Sequence, residues 1–157
     1  MQRITPFLWY DTQAEEAANL YVSIFPNSRI VNISRYGEAG PGPKGGVMVV
    51  EFELDGQRFL ALNGGPHYKF TEAVSLTVNC ETQEEVDHYW NALTRGGTEQ
   101  PCGWLKDKFG LSWQITPRII GQLMADPDPA KAQRAMEALL TMKKIDIAAL
   151  KRAHSQK

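Results

Sequence analysis

One unit of this sequence occurs twice, and the repeat decides what the chain can fold into. RITPFLWY (residues 3–10) reads as a strand, with Pro6 placing it at an edge or a strand start. In DTQAEEAANLYVSIFPN, Ala14, Ala17, Ala18, Tyr21, Ile24 and Phe25 recur at helical spacing, and Pro26-Asn27 stops the helix. RIVNISRY (29–36), VMVVEFELDG (47–56) and QRFLALNGG (57–65) read as three strands, with Asp55-Gly56 a two-residue hairpin signal. Then the order begins again. AVSLTVNC (73–80) is a strand and ETQEEVDHYWNALTRGG a helix that stops at Gly96-Gly97. TEQPC, GWLKDK and LSWQIT follow as short strands. Asp11-Thr12-Gln13 and Glu81-Thr82-Gln83 stand 70 positions apart, each opening a helix. A slip of one residue superposes Ala17, Tyr21 and Ile24 on Val86, Trp90 and Leu93. Thr12 with Glu15, and Thr82 with Glu85, carry the spacing of a capping box. Two copies are too few for a solenoid. They predict an α+β fold of two tandem βαβββ modules, residues 1–66 and 72–117, with the two sheets facing each other.

A third segment, 118–155, follows the second module. Its AKAQRAMEALLTMKK stretch presents Ala132, Ala135, Met136, Leu139, Leu140 and Met142 as a broad apolar face, and Asp146 is placed to cap a final turn. The segment is predicted to pack on the outside of its own domain or on a partner. Between the second and third strands, GEAGPGPKGG (37–46) holds five glycines and two prolines and is predicted to be a mobile loop, a candidate lid.

At 157 residues, with 43% hydrophobic and 22% charged residues, the chain has material for one globular domain. A net charge of −1 without a basic cluster argues against nucleic acid. No apolar run approaches the roughly 18–20 residues of a membrane span. The start of the sequence lacks the pattern of a signal peptide, so a cytoplasmic location is expected, with Cys80 and Cys102 reduced.

Chemistry is sought on the polar faces of the strands. In LSWQIT, Leu111, Trp113 and Ile115 point one way, and Ser112, Gln114 and Thr116 the other. In strand 73–80, Ser75, Thr77 and Asn79 oppose Val74, Leu76, Val78 and Cys80. Together these polar faces make a neutral hydrogen-bonding wall, with Phe59, Trp104 and Tyr68 as candidate aromatic surface. Pocket wall and solvated sheet face both fit the alternation. Glu51, which shares a face with Glu53, is a candidate general base if burial raises its pKa; a solvent-facing pair is the alternative. His67, His88 and His154 are scattered, and each reads as a surface or partly packed histidine. Gly37, Gly40 and Gly42 space loosely like a methyl-donor cradle. Pro41 and Pro43 interrupt them, and strands stand on both sides rather than a strand and a helix.

The duplicated unit resembles the vicinal oxygen chelate superfamily of glyoxalase I, bleomycin-resistance proteins and extradiol dioxygenases. ITPFLWYDTQAEEAANLYVSIFPNSRI, VEFELDGQRFLALNGGP, VNCETQEEVDHYWNALTRGG, WLKDKFGLSWQITP and MKKIDIAALKRA are similar to its PhnB-like branch, which often carries a 3-demethylubiquinone 3-methyltransferase label. The resemblance implies one glyoxalase-like domain, a homodimer, and a small-molecule pocket in the curved sheet. That pocket would be lined by Asn63, Ser75, Thr77, Trp104, Ser112 and Gln114. Metal-using relatives ligate from the first and fourth strands of each module. Here those positions fall at Ile4 or Pro6, at Ala61 or Asn63, at Ala73 or Ser75, and at Gln114; shifted by two residues, Leu8 and Thr77 do no better. Gln114 alone is a plausible ligand type, so no metal or other cofactor is expected. The resemblance thus suggests a metal-free binding protein. The alternative is a lyase, isomerase or dioxygenase that uses a divalent metal, or Glu51 as base with Gln114 in a catalytic part. A methyltransferase is disfavoured.

Overall fold

The computed structural model describes residues 1–156. It divides into a first unit, Met1–Phe70, and a second that begins at Thr71.

In the first unit, β1 (Phe7–Tyr10), α1 (Ala14–Ile24), β2 (Arg29–Arg35), β3 (Val47–Leu54) and β4 (Gln57–Asn63) build a four-stranded sheet in the order β1-β4-β3-β2. β1 runs parallel to β4; the other pairs are antiparallel. The expected strand over residues 3–10 is shorter than predicted. Pro6 lacks an amide proton, and only its carbonyl joins the ladder, accepting from Leu60 N at 3.0 Å. The β3–β4 turn places Asp55 and Gly56 at φ 49° and 84°, the left-handed pair a two-residue hairpin requires. α1 buries Ala14, Ala17, Ala18, Tyr21 and Ile24 on one face of the sheet. There Tyr21 lies 6.3 Å from Phe52 between ring centroids, and its hydroxyl is 3.1 Å from that of Tyr10. Side chains alternate, so Tyr10, Phe52, Phe59, Ala61 and Leu8 belong to this helix-covered face.

The capping box predicted at Thr12 does not form. Gln13 is the N-cap, with no side-chain cap of its own among the described residues. The Ala14 amide instead donates to Asn63 Oδ1 at 2.8 Å, so the end of β4 caps α1 across the sheet.

The second unit repeats the order with β5 (Ser75–Cys80), α2 (Gln83–Thr94), β6 (Thr98–Glu99), a 3-10 turn (Pro101–Gly103), β7 (Trp104–Lys106) and β8 (Ser112–Pro117), arranged β5-β8-β7-β6. Here the predicted cap is present: Thr82 Oγ1 accepts from Glu85 N at 3.2 Å. Val86, Trp90 and Leu93 of α2 cover the face of Leu105, Trp113 and Ile115. The β7–β8 turn is held by Asp107, 3% exposed, whose carboxylate accepts from Phe109 N, Leu111 N and Trp113 Nε1 at 2.9–3.1 Å.

After β8 come α3 (Ile119–Met124), α4 (Pro129–Leu140) and α5 (Ile147–Ser155). The expected helix of this segment is there, and Asp146 caps α5 through Ala149 N. α3 is an addition to what the sequence predicts. These helices form a core of their own around Leu123, Ala135, Ile145 and Leu150. They attach to their own unit, where Cys102 N and Gly103 N each donate at 2.8 Å to the carbonyls of Met142 and Lys143. Gln83 donates to Ile145 O and accepts from Ile147 N. No helix among the described residues is long and apolar enough to cross a membrane.

Candidate functional site

The helix-free face of each sheet is where ligand chemistry must act, because the other face is filled by α1 or α2. In the second unit the β5–β8 register pairs Ser75 with Ser112, Thr77 with Gln114 and Asn79 with Thr116. The β7–β8 register sets Trp104 opposite Gln114 and Lys106 opposite Ser112. Paired residues share a face. Ser75, Thr77, Trp104, Ser112 and Gln114, five of the six residues predicted from the sequence, therefore lie together. Gln114 Nε2 donates to Ser75 Oγ at 2.9 Å, which leaves the Gln114 carbonyl to accept and the Ser75 hydroxyl to donate. Ser112 is 0% exposed, and its hydroxyl has no hydrogen-bond partner among the described residues. A buried hydroxyl left unpaired costs about 1–3 kcal/mol, and with no exposed surface this one can be met only by a group that displaces the side chains over it. Lys106 joins this face without a sequence signal to announce it. It pairs with Glu72, whose carboxyl it holds below the ordinary carboxylate range. Nothing local in the sequence marks that pair, which joins residues of a loop and a strand 34 positions apart.

Asn63, the sixth predicted residue, lies elsewhere. It is paired with Tyr10 at the end of β4, and its amide is committed to the backbone: Oδ1 to Ala14 N, and Nδ2 to Val47 O at 3.1 Å. Phe59 is likewise not pocket surface, being buried and stacked on Phe52 at 5.4 Å. Tyr68 is exposed and meets Trp9 edge-on at 4.9 Å.

The corresponding face of the first unit carries Phe7, Trp9, Leu60, Leu62, Val49, Glu51, Glu53 and Arg58. Glu51 forms an ion pair with Arg58, and Glu53 takes Arg58 Nε at 3.0 Å and Arg29 Nε at 3.1 Å. Arg29, and then Arg58, hold the Glu53 carboxyl below its usual range. The Glu51 carboxylate is thus already engaged by Arg58.

Metal-using members of the superfamily that this sequence resembles hold a divalent cation from the first and last strands of each module. In the first unit the ladder corrects the positions expected from the sequence by one residue. Leu8, Ala61 and Asn63 are on the helix-covered side or at its edge, and the open positions are Phe7, Trp9, Leu60 and Leu62. The donors available on the open faces of β1, β4, β5 and β8 are thus hydroxyls and amides, beside apolar side chains and Arg58. Divalent Zn, Ni or Fe favours imidazole, thiolate and carboxylate. The residues do not fit such an ion, and no group of three or more His, Cys, Asp or Glu among the described residues is placed to hold one. His67 and His88 are exposed, and His154 sits 2.9 Å from Asp126. Burial, then the nearby Glu85, pushes the Cys80 thiol up to about 11, which removes it as a nucleophile near neutral pH.

The glycine-rich loop is no methyl-donor cradle either. It joins antiparallel strands β2 and β3 and closes around Tyr36: Tyr36 N donates to Gly46 O and Gly45 N to Tyr36 O, both at 2.8 Å. A Cβ on Gly42 would come within 2.2 Å of the Tyr36 ring, so the ring fills the space the loop encloses.

The sequence model of the family described as 3-demethylubiquinone-9 3-methyltransferase matches residues 2–116. The chain belongs to that family. A putative 3-demethylubiquinone-9 3-methyltransferase, the PhnB protein of Bacillus cereus, is 43% identical, with a TM-score of 0.68 over 74% of this chain and 99% of its own. Two distant structures share the fold: a Pseudomonas aeruginosa protein (18% identity, TM-score 0.63, 74% and 98% coverage) and the fosfomycin resistance protein FosX of Listeria monocytogenes (15%, 0.51, 74% and 93%). The fold is that of the vicinal oxygen chelate superfamily. A comparison with curated proteins gives no match. The family match ends at residue 116, before α3–α5 begin.

Proposed function

We propose that this member of the 3-demethylubiquinone-9 3-methyltransferase family binds a small planar molecule on the open face of its second sheet and does so without a metal. The observation that carries the reading is the half-buried Gln114–Ser75 pair, which keeps an acceptor and a donor to offer, with the unpaired Ser112 hydroxyl buried beside it. Such a face recognises a neutral ligand that offers both a donor and an acceptor. The half-buried Trp104, opposite Gln114 in the ladder, gives aromatic surface for a ring. Recognition is the whole of the function on this reading. A methyl transfer has no cradle for its donor, and base catalysis has only the ion-paired Glu51. The homodimer and the cytoplasmic location implied by the resemblance belong to the same proposal. Light scattering at twice 17.6 kDa is the dimer's test.

The binding test is a thermal-shift screen of hydroxyaromatic and aromatic-amide fragments, with and without chelator. Hits should be indifferent to chelator. Gln114→Ala should weaken them about fivefold, for a lost hydrogen bond of roughly 1 kcal/mol, while the protein still folds. A substrate whose turnover changes in Gln114→Ala while its binding does not would overturn this reading in favour of an enzyme.

A further inference from the structure

The two modules meet the same structural problem at one corner and leave it in different states. At the end of β5, Cys80 O accepts from Arg118 N at 2.9 Å; at the end of β1, Tyr10 O accepts from Gly64 N at 2.8 Å. These are equivalent bonds, since Cys80 pairs with Pro117 and Tyr10 with Asn63 in the same parallel register. Asp11 therefore corresponds to Glu81, Thr12 to Thr82 and Gly64 to Arg118. In the second unit the corner is complete. Arg118 Nη1 donates to Glu81 Oε1 at 2.6 Å, and the Thr82 hydroxyl caps α2.

In the first unit the acid remains and the cation is gone. Gly64 has no side chain, and a Cβ there would stand 2.4 Å from the Trp9 indole, which occupies that space and donates from Nε1 to Gly65 O at 2.9 Å. The Asp11 carboxylate has neither a hydrogen bond nor an ion pair among the described residues. Thr12 is freed as well, because Asn63 has taken over the capping of α1. Both residues line a cleft of about 270 Å³, whose other walls include Tyr36, Pro41, Pro43 and Val47. That volume lies just under the roughly 300–1,000 Å³ of drug-sized ligand sites. It suits a small molecule with a short apolar body.

We propose that this corner is a binding site for a small organic cation headed by a guanidinium, which supplies to Asp11 what Arg118 supplies to Glu81. The head pairs with the Asp11 carboxylate and the Thr12 hydroxyl. The body lies between the prolines and Val47. The Asp11 backbone carbonyl is already engaged by Gly65 N at 3.2 Å, so the carboxylate is the free anionic group at the mouth.

The experiment is an amide-resonance titration of the whole chain with n-butylguanidinium, and with n-butylurea as the neutral analogue of similar shape. Saturable shifts are expected at Gly42, Gly46, Gly64 and Gly65 with the guanidinium and not with the urea. Asp11→Asn should weaken the binding at least tenfold. It removes a charge but no intramolecular bond, and its resonances away from the cleft should match those of the parent. Glu81→Gln, which alters the already occupied corner, should leave the binding unchanged. Non-saturating shifts, equal response to the urea, or equal affinity in Asp11→Asn would each overturn the proposal. So would an equal loss in Glu81→Gln, since that would mark a non-specific charge effect.

Discussion

On the open face of the first sheet, the row Phe7–Leu60–Glu51 occupies the ladder positions that Thr77–Gln114–Trp104 occupies in the second, and Arg58 with Glu53 stands where Ser112 stands with Lys106. One face is apolar at its parallel pair of strands and charged beyond it. The other is hydrogen-bonding at its parallel pair, with an aromatic ring opposite, and carries the Lys106–Glu72 ion pair beyond it. The helix-covered faces show no such divergence: Phe52, Phe59 and Ala61 are replaced by Leu105, Trp113 and Ile115, all buried. Register is fixed by the face that must be buried, because a slip of one residue would turn every core side chain to solvent. The open face is released from that demand, and it is there that the duplicated modules came to differ in chemistry.

The largest effect expected from breaking the comparison is at the hairpins. The first unit closes β3–β4 with backbone geometry at Asp55-Gly56, whereas the second depends on one buried carboxylate. Asp107→Ala orphans three donors, two of them in or beside the core, and should cost about 3–5 kcal/mol in urea unfolding. Asp55→Ala should cost roughly 1 kcal/mol, for a non-glycine φ of 49°. Next come the corners. Gly64→Ala drives a methyl into the Trp9 indole and should cost about 1–3 kcal/mol by overpacking. Its counterpart Arg118→Ala removes an exposed ion pair and should cost under about 1 kcal/mol. The helix starts follow. Asn63→Ala, which loses a cap and a bond to Val47, should cost about 1–2 kcal/mol, against about 1 kcal/mol for Thr82→Ala. Equal costs would mean that the two starts are equivalent after all.

The smallest effect is in pH. Glu53 in the first unit and Glu72 and Asp126 in the second have carboxyls lowered by their partners: Arg29 first for Glu53, Lys106 for Glu72, and the Asp128 amide for Asp126. A lowered carboxyl contributes stability that is present above the unfolded value and is lost as pH falls through the folded value. Denaturant midpoints should therefore decline as pH drops below the ordinary 4.5 of the two glutamates, and Glu53→Gln should flatten part of that decline. An unchanged slope in Glu53→Gln would remove the carboxylate–arginine cluster as a stabilising element of the first unit.

The second module is far more legible in the sequence than the first, for a physical reason. Strand 75–80 and LSWQIT alternate polar with apolar, so alternation by itself assigns their faces. In FLWY and RFLALN apolar side chains lie on both faces, and the alternation carries no parity. That is why Leu8, Ala61 and Asn63 read as open-face positions and are not. Asn63 is also the last residue of its strand, where its amide turns back to the backbone of α1. Phe59 reads as pocket surface because an aromatic that fills a core and one that lines a pocket look alike in sequence. Thr12 has the spacing of a cap but loses the position to Asn63, a residue 51 places away. Pairs such as Lys106 with Glu72 arise only when the sheet brings them together. Ser112 is visible in the sequence as a polar residue on the right face. Its burial without a partner is not.

The central claim is that the open face of the second sheet binds its ligand through neutral groups and no metal ion. It is tested most directly by measuring the metal content of protein purified without chelator, by plasma mass spectrometry, per chain. The account predicts Zn, Ni, Fe and Mn each far below one per chain, in both the parent and Gln114→Ala. A near-stoichiometric metal that falls in Gln114→Ala would contradict it, making Gln114 a ligand rather than a hydrogen-bonding wall.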